Sequence, residues 1–122
     1  MPEDKTFKAG EDLSDYQYHF VVLDADNQVV AAGANGRTIG ILQNAPGDGE
    51  AARVRLPGNI SKLIVAETVA IAKLITSDAN AEGEVVDTAG EWCGAIALQT
   101  GSSTNVRIDA LITAFTAHAS DA

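Results

Sequence analysis

Short apolar runs, several of them alternating with a period of two, are cut by Gly, Asn, Asp and Pro along this chain. That period puts successive side chains on opposite faces of a strand. Tyr16, Tyr18, Phe20 and Val22 share one face and predict a strand from Tyr16. Asp24 to Gln28 is a polar turn, and Val29 to Ala32 predicts the next strand. Gly33-Ala34-Asn35-Gly36 follows, and Asn-Gly is the dipeptide that best tolerates positive φ at a tight hairpin. Ile39 to Leu42 is apolar and ends in the turn cluster Asn44-Ala45-Pro46-Gly47-Asp48-Gly49. Ala52 to Leu56 alternates, Pro57-Gly58-Asn59 stops it, and Leu63-Ile64-Val65 is a further apolar triplet. Cys93 to Leu98 and Val106 to Leu111 predict two late strands.

Thr68 to Thr76 is ambiguous: Ala and Leu tolerate a helix, whereas Val, Ile and Thr prefer strands. A short helical turn stays open there. No stretch carries the spacing of a longer amphipathic helix. Many short strands between Gly, Asn and Pro turns predict an all-β fold, a small β-barrel or β-sandwich with at most one short helix.

The first fifteen residues break this pattern. Glu3, Asp4, Glu11, Asp12 and Asp15 stand among Lys5 and Lys8, and only Phe7 and Leu13 are sizeable apolar residues after Met1. Such a segment buries too little surface to order itself. The expected organisation is therefore an extended N-terminal arm over 1–15, a β-domain over 16–115 and a polar tail over 116–122. Deleting residues 1–14 is expected to leave the body folded.

The chain has 122 residues, about one domain's worth. No run is apolar for long enough to form a membrane-spanning helix, and the charged N-terminus lacks the apolar centre of a secretory signal. The single cysteine, Cys93, excludes an internal disulfide framework and a cysteine-rich zinc site. A net charge of −9 argues against nucleic acid or an anionic membrane as partner.

Cys93 and His19 are a formal nucleophile–base pair, but no activating positive charge stands near Cys93 in sequence, and a buried strand cysteine is the plainer reading. His118 falls in the tail. Asp78, Asn80, Glu82 and Gly83 fit the early positions of a calcium loop, yet Ala89 stands where the bidentate Glu belongs. An Asx-stabilised turn is expected instead. Gly36-Arg37-Thr38 lacks the Lys, the earlier Gly and the long helix of a phosphate loop. A biotinyl or lipoyl carrier needs a Lys at a hairpin tip, and the main turns hold none. Neither catalytic nor cofactor-binding nor metal-ligating residues are predicted. Arg53 and Arg55 share one strand face, either as a solvated surface or as a docking pair for a partner's carboxylate. Trp92, the only tryptophan, is either a core plug or an interface anchor.

The middle of the chain resembles the small capsid decoration, or cement, proteins of tailed bacteriophages. The residues that carry the likeness are Gly40-Ile41-Leu42, Asn44-Ala45-Pro46, Gly49-Glu50, Arg53-Val54-Arg55-Leu56, Gly58 and Thr76-Ser77-Asp78. Gly94-Ala95-Ile96-Ala97-Leu98 and Val106 to Ile112 resemble the family's late strands. The likeness spans about residues 16 to 112. Glu67 stands where the family often has Gly, and Ile71-Ala72-Lys73 where it commonly has Ala-Gly-Asp. The resemblance implies a β-tulip-like body and a homotrimer on the outer surface of the expanded capsid. It also implies the major capsid protein as partner and a role in holding the shell against internal DNA pressure. Phe7 and Leu13 of the arm, with Arg53 and Arg55, are then the expected capsid contacts. A trimer carries three times −9, or −27, so such binding rests on apolar and backbone contacts or on a basic patch of the shell. The alternatives are a fibre base, a carbohydrate-binding β-domain on Trp92 and the two tyrosines, or an enzyme using Cys93 and His19.

Overall fold

The computed structural model describes residues 3–87, 90–101 and 106–117. These residues form ten strands and no helix. In chain order they are β1 (Asp4–Lys8), β2 (Phe20–Leu23), β3 (Val29–Ala31), β4 (Gly40–Leu42), β5 (Ala51–Arg55), β6 (Ile60–Val65), β7 (Leu74–Ser77), β8 (Gly83–Val85), β9 (Trp92–Ala97) and β10 (Val106–Thr116). The fold is all-β, as the alternation predicts. Five strands make a sheet in the order β1-β5-β4-β2-β3, and five close a barrel in the order β10-β6-β8-β7-β9.

The barrel is built around β10, whose 11 residues reach two neighbours. Ile108 lies opposite Leu63 of β6, and Ala110 lies opposite Ala97 of β9. Ile108, Ala110 and Ile112 turn inward with Leu63, Val65, Ile75, Ala95 and Ala97, all at most 1% exposed. So narrow a barrel leaves little room, which is why alanines stand opposite the branched residues. At Gly83 a Cβ would lie 2.8 Å from Ile75 Cγ2, so the barrel wall has no side chain there.

In the sheet, one row runs Asp4–Arg55–Ile41–Phe20 on one face. Lys5, Val54 and Leu42 form the row on the other face. That second face packs Val21, Val29, Leu42, Ala52 and Val54 around Ala9 and Leu13. Beyond β1 the chain crosses to the far edge of the sheet. Ala9 bridges to Val29 in parallel, and Gly10 N–H donates to Val29 O at 2.8 Å. Glu11 Oε2 accepts from Ala31 N–H at 2.8 Å. The two sheet edges thus meet at one end, and the sheet curls into a second, incompletely closed barrel plugged by Leu13.

This corrects the expected arm. Residues 4–13 are a wall and plug of the body. Leu13 is 0% exposed, and its N–H donates to Pro46 O at 2.9 Å. The segment's composition concealed this because its strand partner, β5, lies far downstream. A strand with one large apolar residue orders when it joins an existing edge.

The two bodies meet where Phe20 packs over Gly94. A Cβ on Gly94 would lie 2.8 Å from the Phe20 ring and 2.5 Å from Thr38 Oγ1, so only glycine admits this approach. Gln43 Nε2 donates to Ser61 Oγ at 2.8 Å across the same junction.

Other expectations change locally. Tyr16–His19 is a turn, with Tyr18 at φ 66°, so the strand begins at Phe20. Residues 33–38 do not close a tight hairpin: β3 and β4 flank β2 on opposite sides, and Asn35 N–H donates to Ser77 O instead. Within Thr68–Thr76, Val69 bridges Gly101, Ala72 takes φ 69°, and β7 starts at Leu74. Strand β10 runs into the expected tail as far as Thr116, and Ala117 N–H donates to Glu91 O at 2.8 Å. His118 and the rest of that tail lie outside the described residues.

Candidate functional site

Two hairpins settle the acidic loops. Asp24 Oδ1 accepts from Asp26 N–H (2.9 Å) and Gln28 N–H (3.0 Å). Asp78 Oδ1 accepts from Asn80 N–H (2.8 Å) and Glu82 N–H (3.0 Å) in the same pattern. Each Asp thereby ties its own turn, with Asn27 and Ala81 in the left-handed region. This is the Asx-stabilised turn expected at Asp78.

Cys93 and His19 have separate partners. Cys93 is buried, its Sγ 3.2 Å from Ala95 O and 3.3 Å from Thr113 Oγ1. His19 lies edge-on to Tyr16, with Nδ1 3.1 Å from Gln17 O and Nε2 3.6 Å from Glu82.

The arginine pair has its carboxylate within the chain. Arg55 Nε is 2.9 Å from Asp4 Oδ1, and Arg53 Nε is 3.3 Å from Asp4 Oδ2. Register explains this, since Asp4 lies directly opposite Arg55. The expected docking pair is therefore a clamp on β1. Arg53 still leaves 56% of its side chain exposed, whereas Arg55 leaves 20%. Leu13, enclosed in the core, cannot touch a partner, which corrects that expected contact.

Phe7 is different. It lies half-buried on β1 and lines an open groove of about 470 Å³. Leu23, Ile39, Leu56 and Trp92 complete most of its apolar wall, with Arg37 at the rim. The groove runs past the ends of the sheet strands, from Phe7 of β1 and Leu56 after β5 to Ile39 before β4 and Leu23 of β2. Trp92 is held in the wall by its Nε1–H to Thr38 O (3.3 Å) and its backbone N–H to Asn35 Oδ1 (2.6 Å). The Arg37 guanidinium lies 5.5 Å from the Trp92 ring centroid, and Lys5 Nζ lies 5.7 Å from that of Phe7. Trp92 is thus neither a core plug nor fully free. Sequence reasoning singled out Phe7 and Trp92 separately but had no signal that β1 and β9 share one groove.

A second apolar surface lies on the outside of the barrel. Ile60 pairs with Leu111, Leu111 with Ile96, and Ile96 with Leu74, giving one aliphatic row across four strands. Ile60 is 55% exposed and the other three are half-buried.

The acids concentrate around β8. Burial first, then Asp78, Glu67, Glu91 and Asp87, push the Glu84 carboxyl above its ordinary value.

No protein-family model matches the chain, and no curated protein sequence matches it. Among solved structures, the fold is similar to the head fibre gp8.5 N base of bacteriophage phi29. The TM-score is 0.70 at 13% identity, over 93% of this chain and 95% of that one.

Proposed function

We propose that this chain is a structural protein of a phage virion, seated on the outer surface of the head and bound to the major capsid protein. The observation that carries this reading is the fold match to a phage head-fibre base, which runs almost end to end in both chains. The likeness of Gly40 to Leu56 and Gly94 to Leu98 to capsid decoration proteins points the same way. The protein acts through its surfaces, as a cement between neighbouring capsid subunits, without catalysis or a cofactor. It works as a homotrimer, and the aliphatic row Ile60–Leu111–Ile96–Leu74 supplies apolar area for self-association.

The test is co-sedimentation with expanded capsids that lack this protein. Saturable pelleting at a fixed ratio to capsid subunits, with a raised capsid melting temperature, is the expected result. No pelleting of folded protein defeats the head-surface role. The structural neighbour favours one second reading, the base of a head fibre. That reading expects pelleting without added capsid stability. Light scattering of the free protein, with Leu111→Glu as control, tests the trimer.

A further inference from the structure

We infer that the open edge of β1 and the groove beside it take an extended segment of a partner protein in which apolar residues alternate with acidic ones. The hydrogen bonding of β1 supplies the first argument. Leu56 N–H donates to Glu3 O at 3.1 Å, and Ala9 N–H donates to Glu50 O at 2.9 Å. Bonded positions alternate in an antiparallel pair, so the odd residues of β1 turn their backbone toward β5. The N–H and C=O groups of Asp4, Thr6 and Lys8 point the other way. Val29 of β3 bridges the Ala9 end of that edge, and no strand of the described residues pairs with it at Asp4 and Thr6. The outward positions at Asp4 and Thr6 form a template for an added strand.

The groove supplies the second argument. A strand laid on β1 presents every second side chain to one face. Phe7 belongs to both the edge strand and the groove wall, so one face of the added strand meets Phe7, Leu23 and Ile39.

Charge supplies the third and selects the occupant. The chain is −9 overall, yet Lys5 and Lys8 lie on β1, Arg53 on β5 beside it, and Arg37 at the groove rim. Lys5 shares the face of Phe7, whereas Lys8 and Arg53 stand on the opposite face, Arg53 beside Asp4. The alternate residues of an added strand turn to that opposite face, where Lys8 and the exposed part of Arg53 favour acids between the apolar residues. This inference does not depend on the head-surface role, because it follows from the edge, the groove and the rim alone.

The only tryptophan lines the groove, so its fluorescence reports occupancy. The full chain is titrated with an end-capped synthetic peptide of alternating valine and glutamate, about ten residues long. A valine–lysine peptide is the charge control. Two variants probe the site. Thr6→Pro removes one outward N–H without touching a β1–β5 bond, a change tolerated on edge strands. Leu23→Asp alters the groove at a residue already 42% exposed. Saturable Trp92 fluorescence change with valine–glutamate is expected, with binding weakened about tenfold for valine–lysine and for each variant. The inference is overturned if valine–glutamate gives no saturable change, if valine–lysine binds as tightly, or if either folded variant binds like the parent. Circular dichroism identifies a variant that has lost its fold, and the remaining variant then decides.

Discussion

Asp4 and Arg55 stand directly opposite one another on β1 and β5, joined by two hydrogen bonds of 2.9 and 3.4 Å. Arg53 approaches the same carboxylate from the next position on that face. One acid near the start of the chain thus gathers two arginines from a strand about fifty residues away. The three together fix the register of the edge strand on which the groove depends. Asp4→Ala should lower the unfolding free energy by about 1 kcal/mol, since both faces of the pair are only partly screened. Urea unfolding of Asp4→Ala, Arg55→Ala and the double variant gives the coupling. A coupling near zero would mean that β1 is held by its backbone alone.

Leu13 is the plug of the second barrel. Leu13→Ala should cost about 2–5 kcal/mol, the range for a fully buried leucine that leaves a cavity. Deleting residues 1–14 removes β1, Ala9 and the plug together, so the truncated chain should lose its cooperative thermal transition. A truncated protein that melts like the full chain would show that these residues are dispensable to the body.

Gly94 is the contact point between sheet and barrel. Gly94→Ala should destabilise by about 1–3 kcal/mol, because the Phe20 ring and Thr38 must shift to admit a methyl group. The melting temperature should fall while the far-ultraviolet spectrum stays that of a β-protein. An unchanged melting temperature would show that the junction yields freely.

Glu84 gives the fold a pH dependence of known sign. Its carboxyl is raised above the ordinary value of 4.5 by burial and by neighbouring acids. The folded chain therefore holds this proton more tightly than the unfolded one. Its contribution is favourable below about pH 4.5 and is lost as pH rises through the folded-state value. Glu84→Gln should raise the melting temperature at neutral pH, and the gain should disappear in acid. Paired melting curves from pH 4 to 8 check this; a gain that is constant with pH would remove the electrostatic explanation.

Much of the architecture was legible in the residues. Alternation in Ala52–Leu56 and Val106–Leu111 marks real strands, because a half-buried strand writes its two faces into the sequence, and the small apolar run Cys93–Leu98 is a strand as well. The Asx turn at Asp78 was legible for the same local reason. The edge strand was not, because Asp4–Lys8 carries one large apolar residue and gains its order from β5. Nor was the crossing at residues 33–38, since Asn-Gly looks the same whether it joins neighbouring strands or passes the end of a third. The groove was hidden for a stronger reason. Its walls come from Phe7, Leu23, Leu56 and Trp92, residues that only the finished topology brings together.

Strand β10, which closes the barrel, follows every other barrel strand in the chain. Both β6 and β9 wait for it, and so do the inward faces of Leu63 and Ala95. During synthesis the barrel therefore remains an unsealed set of strands until β10 has left the ribosome. A stall or premature stop anywhere in the last strand should leave a soluble-looking front half attached to an adhesive, unclosed back half. Truncations within β10 should therefore be nearly as damaging to the barrel as truncations far upstream of it.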